Sequence, residues 1–267
     1  MIKKGSEALA KHWPEYLMEA AELAIFMLSA CLFVALIELP SSPVRQAIDS
    51  IMLRHVLIGL SMGLTAIAIV YSPLGKHSGA HFNPAVTLTF LRLGKIAPWD
   101  AFFYIVAQFV GGIAGVKVAS FLLGMVLIAD PNVNYVVTLP GIPGVKWAFI
   151  AEMVISFFLM LMVLFISNNK RLNAYTPLFV GALITLYITF EAPISGMSMN
   201  PARTFGSALP AGIWTDIWIY FIAPPIGMLL AAETYLILKG RHAVLCCKLH
   251  HENNQPCIFH CRYGEYV

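Results

Sequence analysis

The stretch Ser78-Gly79-Ala80-His81-Phe82-Asn83-Pro84-Ala85-Val86-Thr87-Leu88 returns later in the chain. Its second copy is Ser195-Gly196-Met197-Ser198-Met199-Asn200-Pro201-Ala202-Arg203-Thr204-Phe205. Six of the eleven positions are identical at a constant offset of 117 residues. Each copy opens on a flexible Ser-Gly and reaches Asn-Pro just before a short apolar segment. Asn is a good helix N-cap and Pro suits the first helical position. Each copy therefore reads as a loop that starts a helix. The apolar part of that helix is too short to cross a bilayer, which takes about 20 residues. Two half-helices in matching places of two halves point to a site at the bilayer midplane.

Working outward, apolar segments long enough to span are expected at 16–39, 52–72, 99–124, 147–167, 176–193 and 214–239, with half-helices at 84–94 and 201–210. The order is span, span, half-helix, span, and then the same again. Asp100, Tyr104, Ala107 and Gly111 reappear as Asp216, Tyr220, Ala223 and Gly227 at an offset of 116, and Ala21-Glu22 is echoed by Ala151-Glu152. Three spans per half is an odd number, so the second half must be inserted upside down. The expected fold is all-α and integral to the membrane. It has six transmembrane helices plus two re-entrant half-helices in an inverted repeat.

The parts are then a polar N-terminus (1–15), a first repeat (16–124) with its re-entrant loop at 72–94, and an external linker (125–146). A second repeat (147–240), with its re-entrant loop at 193–210, and a Cys/His-rich tail (241–267) follow. Gly59 and Gly63, and Gly111 and Gly115, have the spacing of close helix crossings, and Gly181 is read in the same way.

Composition agrees with this fold. Of 267 residues, 59% are hydrophobic and 12% charged, which is too apolar for a soluble domain. The net charge of +3 and the lack of a basic stripe give no reason to invoke nucleic acid. With the N-terminus inside, twelve Lys and Arg fall on the cytoplasmic side. Arg45, Arg54, Lys146 and Arg203 fall on the other. That bias places both termini in the cytoplasm. Trp13, Trp99, Trp147 and Trp214 fall near the expected helix ends, as interfacial anchors do.

The paired Asn-Pro-Ala motifs, the Ser-Gly-Ala-His before the first, Arg203 after the second and the two Ala-Glu pairs resemble the aquaporins, or major intrinsic proteins, over about residues 16–240. The resemblance implies a homotetramer in a cell membrane with one pore per subunit. The pore would pass water, and as an alternative small neutral solutes such as glycerol, urea, ammonia or hydrogen peroxide, while excluding ions and protons. No catalysis is expected, and a coupling ion would need acidic residues where Asn and Pro stand.

Read from the residues alone, Asn83-Pro84-Ala85 and Asn200-Pro201-Ala202 would place two amide donors and two positive helix ends at the pore centre. Facing positive ends repel cations and protons. Arg203 borders a membrane cavity, where a charge is functional by default. The resemblance makes it part of an outer constriction, with Ile188, Met197 and either Met62 or Gly63 completing the ring. The fifth-helix position is His in strict water channels and Ile188 here. Thr204 stands where glycerol facilitators resemble one another in having Asp. The resemblance also implies that Glu22 and Glu152 hold the re-entrant loops by accepting their backbone hydrogen bonds. His81 lines the inner mouth or packs on the loop. Glu191 braces the second loop or lines the outer vestibule. Lys117 snorkels to the interface or pairs within the assembly.

In the tail, Cys246, Cys247, His250, His251, Cys257 and Cys261 are ligand types for zinc or softer metals. One of Cys246 and Cys247, one of His250 and His251, Cys257 and Cys261 would complete a tetrahedral set. The alternative is a reduced tail with no metal. No other cofactor is expected.

Overall fold

The computed structural model describes residues 2–251 and 254–263. Among them the regular structure is helical, and six helices are long and apolar enough to cross a membrane. These are α1 (Ile2–Glu38), α2 (Ile51–Tyr71), α4 (Pro98–Leu123), α5 (Val145–Ser167), α6 (Thr176–Phe190, which reaches spanning length with the preceding turn from Asn173) and α8 (Trp218–Lys239). The half-helices are α3 (Pro84–Arg92) and α7 (Pro201–Ala211). The chain is an integral membrane protein with the inverted-repeat architecture. α1 packs along α4, α5 packs along α8, and α2 crosses α6. A pseudo-two-fold axis exchanges the first two pairs and maps the third onto itself. Each half-helix also lies on the last span of the other repeat, α3 on α8 and α7 on α4.

Two boundaries differ from the expected ones. The polar N-terminal residues are helical and continuous with the first span, broken at His12 (φ −118°, ψ 15°). Pro14 explains the break, because its ring clashes with the preceding turn. The added segment is docked on the start of α4. His12 Nδ1 lies 2.8 Å from Asp100 Oδ1, and Tyr16 donates to the same oxygen at 2.6 Å. The linker between the halves is also not a plain loop. It carries a helical turn at Met125–Ile128 and folds inward around Tyr135 and Val136, both buried.

Small residues set the helix spacing. A Cβ on Gly111 would sit 2.1 Å from the Ala20 carbonyl oxygen, and its repeat partner Gly227 meets Met153 O at 2.2 Å. The obstacle is backbone in both cases, so a side chain can be housed only by moving α1 or α5. Gly111→Val is expected to destabilise the fold by about 1–3 kcal/mol. Thermal unfolding in detergent, compared with a substitution at lipid-facing Val110, measures this. An unchanged midpoint would mean that the crossing is loose.

Candidate functional site: a central cavity with the tail folded over one end

The two Asn-Pro corners meet at the centre of the molecule. Asn83 caps α3 by accepting from Ala85 N at 2.9 Å, and Asn200 caps α7 by accepting from Ala202 N at 3.0 Å and Arg203 N at 3.1 Å. Their amide nitrogens reach across to the opposite loop. Asn83 Nδ2 donates to Met199 O and Asn200 Nδ2 donates to Phe82 O, both at 2.8 Å. Each amide has two N–H groups. One is used in this exchange, and the other is left for an occupant of the cavity that both residues line.

The loops that carry these corners are held in an unusual conformation. Ala80 (φ 58°), Phe82 (φ 31°), Met197 (φ 48°) and Met199 (φ 52°) all have left-handed backbone, at positions that match under the repeat. Such residues cost about 1–3 kcal/mol each and persist only where the surroundings fix them. In the second repeat Glu152 does the fixing. Its carboxylate accepts from Ser195 Oγ at 2.7 Å, Ser198 N at 2.6 Å and Met199 N at 2.7 Å. In the first repeat two carboxylates divide the task. Glu19 accepts from His81 N at 2.8 Å and Phe82 N at 2.7 Å, while Glu22 takes only the Ser78 hydroxyl at 2.6 Å. This corrects the expectation for Glu22: the backbone support belongs to Glu19, one helical turn earlier on the same face. Tyr104 and Tyr220 complete both brackets by donating to Ser78 O and Ser195 O at 2.7 and 2.6 Å.

The cavity has a volume of about 260 Å³. Its lining runs from His55, Val136 and Arg203 at one end, past Met62, Ile188 and Met197, to Asn83 and Asn200. At the other end it reaches His81 and Leu249. Arg203 Nη1 donates to Val136 O at 2.8 Å. Asn134, Tyr135 and Val136 have φ of 43°, 52° and 51°, a left-handed run that turns this carbonyl toward the guanidinium. The inward fold of the linker thus supplies part of the site.

A family model described as "Major intrinsic protein" matches residues 13–235. The chain belongs to the major intrinsic protein family. It is 37% identical over 190 residues to Arabidopsis thaliana aquaporin NIP3-1, covering 68% of this chain and 57% of that one. To a probable NIP-type aquaporin of Nicotiana alata it is 36% identical over 185 residues, covering 68% and 66%. To Zea mays aquaporin TIP4-4 it is 34% identical over 197 residues, covering 69% and 76%. The chain spans less than two thirds of the length of the first two relatives. The X-ray structure of the aquaglyceroporin from Plasmodium falciparum shares the fold, with a TM-score of 0.71, 19% identity, and coverage of 84% of this chain and 96% of that one.

In this major intrinsic protein Met62, and not Gly63, lines the cavity along with Arg203. Gly63 is turned to α6, where a Cβ would meet Gly181 O at 2.5 Å. Adjacent helical residues point about 100° apart, so only one of the two can face the cavity. His55, which the sequence did not single out, lines the cavity seven residues before Met62, about 10 Å farther along α2. Glu191 is buried beside the second loop and does not line the cavity. Lys117 is on the exposed face of α4.

The tail is folded against the end of the cavity on the side where α1 begins. Residues 244–250 are buried. His81 Nε2 donates to Cys247 O at 3.0 Å, and Leu249 N donates to Gly79 O at 3.0 Å. Of the six tail residues expected as ligands, Cys246, His251, Cys257 and Cys261 come together, with ligand atoms all within 4.8 Å of one another. Cys247 and His250 do not join them. The Cys247 thiol faces Lys95 O at 3.5 Å, and His250 packs edge-on against Tyr71.

Proposed function

We propose that this protein is a passive channel that conducts water and rejects protons and cations, with Asn83, Asn200 and Arg203 as its main selectivity residues. The observation that carries the reading is the pair of Asn amides, each with one N–H committed to the opposite loop and one left for the cavity. A water at the centre can accept from both, which turns its own hydrogens along the pore and breaks the chain by which protons hop. The positive ends of α3 and α7 add repulsion for cations at the same place. No carboxylate lines the cavity among the described residues, which supports passive conduction over ion-coupled transport or catalysis.

The apolar ring favours a second reading, in which small neutral solutes also pass. Met62, Ile188 and Met197 face Arg203 without a hydrogen-bonding group among them, so a solute gains no polar partner there except the guanidinium. The Lys and Arg bias supports cytoplasmic termini in a cell membrane, and family membership supports a homotetramer with one pore per subunit.

Light scattering from proteoliposomes after an osmotic jump tests both readings. Shrinkage well above empty vesicles is expected with an impermeant osmolyte, in the native chain or with Leu249→Ala at the inner mouth. Re-swelling in a glycerol or urea gradient assigns the second reading, and its absence a strict water channel. No acceleration, either in the native chain or with Leu249→Ala at the inner mouth, would refute conduction.

A further inference from the structure

We propose that the C-terminal tail is a plug for the inner mouth of the pore, held in its closing shape by one zinc ion bound to Cys246, His251, Cys257 and Cys261. The gating half of this inference rests on the channel reading above; the metal half does not.

The four ligand atoms are gathered within 4.8 Å of one another, close enough for small side-chain shifts to bring them onto one tetrahedral ion. Cys246 Sγ and Cys257 Sγ are 3.6 Å apart, and Cys261 Sγ lies 2.9 Å from His251 Nε2. Zinc bonds of about 2.3 Å to sulfur in tetrahedral geometry place two sulfurs about 3.8 Å apart. Three thiolates and one imidazole form a ligand set typical of structural zinc, with no position left open for chemistry. His251 is fixed in orientation by Tyr263, whose ring stacks on it at 4.1 Å and whose hydroxyl donates to Ser167 O at the end of α5.

The placement of the ligands links the cluster to the pore. Cys246 and His251 bracket Leu249, and Leu249 lines the cavity. Cys257 and Cys261 bracket Phe259, whose ring stacks on His81 at 5.7 Å. One ion would therefore close two short loops, each with an apolar tip set against the mouth. Between residues 244 and 263 the described tail has almost no regular secondary structure of its own. Lys248 Nζ ties the tail to itself through Pro256 O at 2.7 Å. Two further contacts reach the rim: Lys248 Nζ donates to Lys76 O at 2.9 Å, and His260 N donates to Lys95 O at 3.0 Å. These contacts run to backbone carbonyls next to the first re-entrant loop and at the end of α3, so the plug is docked on the pore machinery itself. Metal release would free both tips together and open the mouth.

The test uses the full chain in vesicles, with metal content and water flux read separately. Elemental analysis should find one zinc per chain, and cobalt substituted for zinc should give the visible bands of a tetrahedral thiolate site. Cys257→Ser should lose both signals. Water flux should be low in the zinc-loaded protein, rise severalfold with a zinc chelator and fall again when zinc is restored. Leu249→Ala should raise flux while keeping its zinc, a result that a merely structural metal would not give. Absence of bound zinc with the cysteines reduced would overturn the site. Bound zinc, with flux above empty vesicles and indifferent to chelation and to Leu249→Ala, would overturn the plug. Flux absent in every state would overturn the channel reading and the gating with it, and the zinc stoichiometry would then stand alone.

Discussion

Replacing Arg203 with valine is expected to raise cation and proton leakage by about two orders of magnitude, with water flux changed only a few-fold. At an effective dielectric of about 20, a fixed unit charge about 5 Å from a passing cation costs it about 3 kcal/mol, a factor of roughly 150 in occupancy. Water feels no such term. Among the described residues that line the cavity there is no other Lys or Arg and no Asp or Glu, so no neighbouring charge replaces Arg203. The variant breaks the bond from Nη1 to Val136 O as well, which loosens the inward fold of the linker and slightly widens the ring. A pH-sensitive dye and a sodium-flux assay in zinc-free vesicles check the prediction. Cation exclusion that survives Arg203→Val would mean that the paired helix ends at Asn83 and Asn200 are a sufficient barrier.

The second large effect concerns the buried carboxylates. Glu152→Ala should abolish flux and lower the unfolding temperature sharply. It leaves Ser195 Oγ, Ser198 N and Met199 N without their acceptor, and a buried unpaired donor costs about 1–3 kcal/mol. Three of them together approach the whole net stability of an ordinary domain, about 5–15 kcal/mol. The left-handed residues Met197 and Met199 would lose their restraint at the same time. Glu19→Ala should be nearly as damaging, because it frees His81 N, Phe82 N and Gln108 Nε2. Glu22→Ala should be much milder, because it frees only the Ser78 hydroxyl. Thermal unfolding in detergent and osmotic flux rank the three. If Glu22→Ala proved as damaging as Glu19→Ala, the division of labour described here would be wrong.

These carboxylates also show what a sequence can and cannot carry. The half-helices were legible because capping is local: Asn followed by Pro announces a helix start wherever it stands, and two copies at one offset announce a repeat. The inverted architecture then follows from counting spans. Choosing between near neighbours was harder. Glu19 and Glu22 lie three residues apart on one helical face, and the Ala-Glu echo pointed to Glu22, although the loop reaches Glu19. Met62 and Gly63 differ by one step of helix rotation, which a one-residue uncertainty in alignment erases. Cys246 and Cys247 point in different directions in an irregular segment that has no periodicity to reveal it. The carbonyl of Val136 leaves no trace in side-chain chemistry. The run of three left-handed residues that aims it contains no glycine that would have marked the turn.

The exchange of amide hydrogen bonds at the centre bears on how the protein is made. Phe82 O is satisfied by Asn200 and Met199 O by Asn83, while α3 rests on α8 and α7 rests on α4. Neither repeat can finish its own interior. During synthesis, Phe82 O lacks this partner until Asn200 of the second half has been made, and α3 lacks its support until α8 has been inserted. A chain cut in the 125–144 linker should still assemble when both pieces are made together, and neither piece should persist alone. Each half completes the interior of the other, so the pair and not the single repeat is the folding unit.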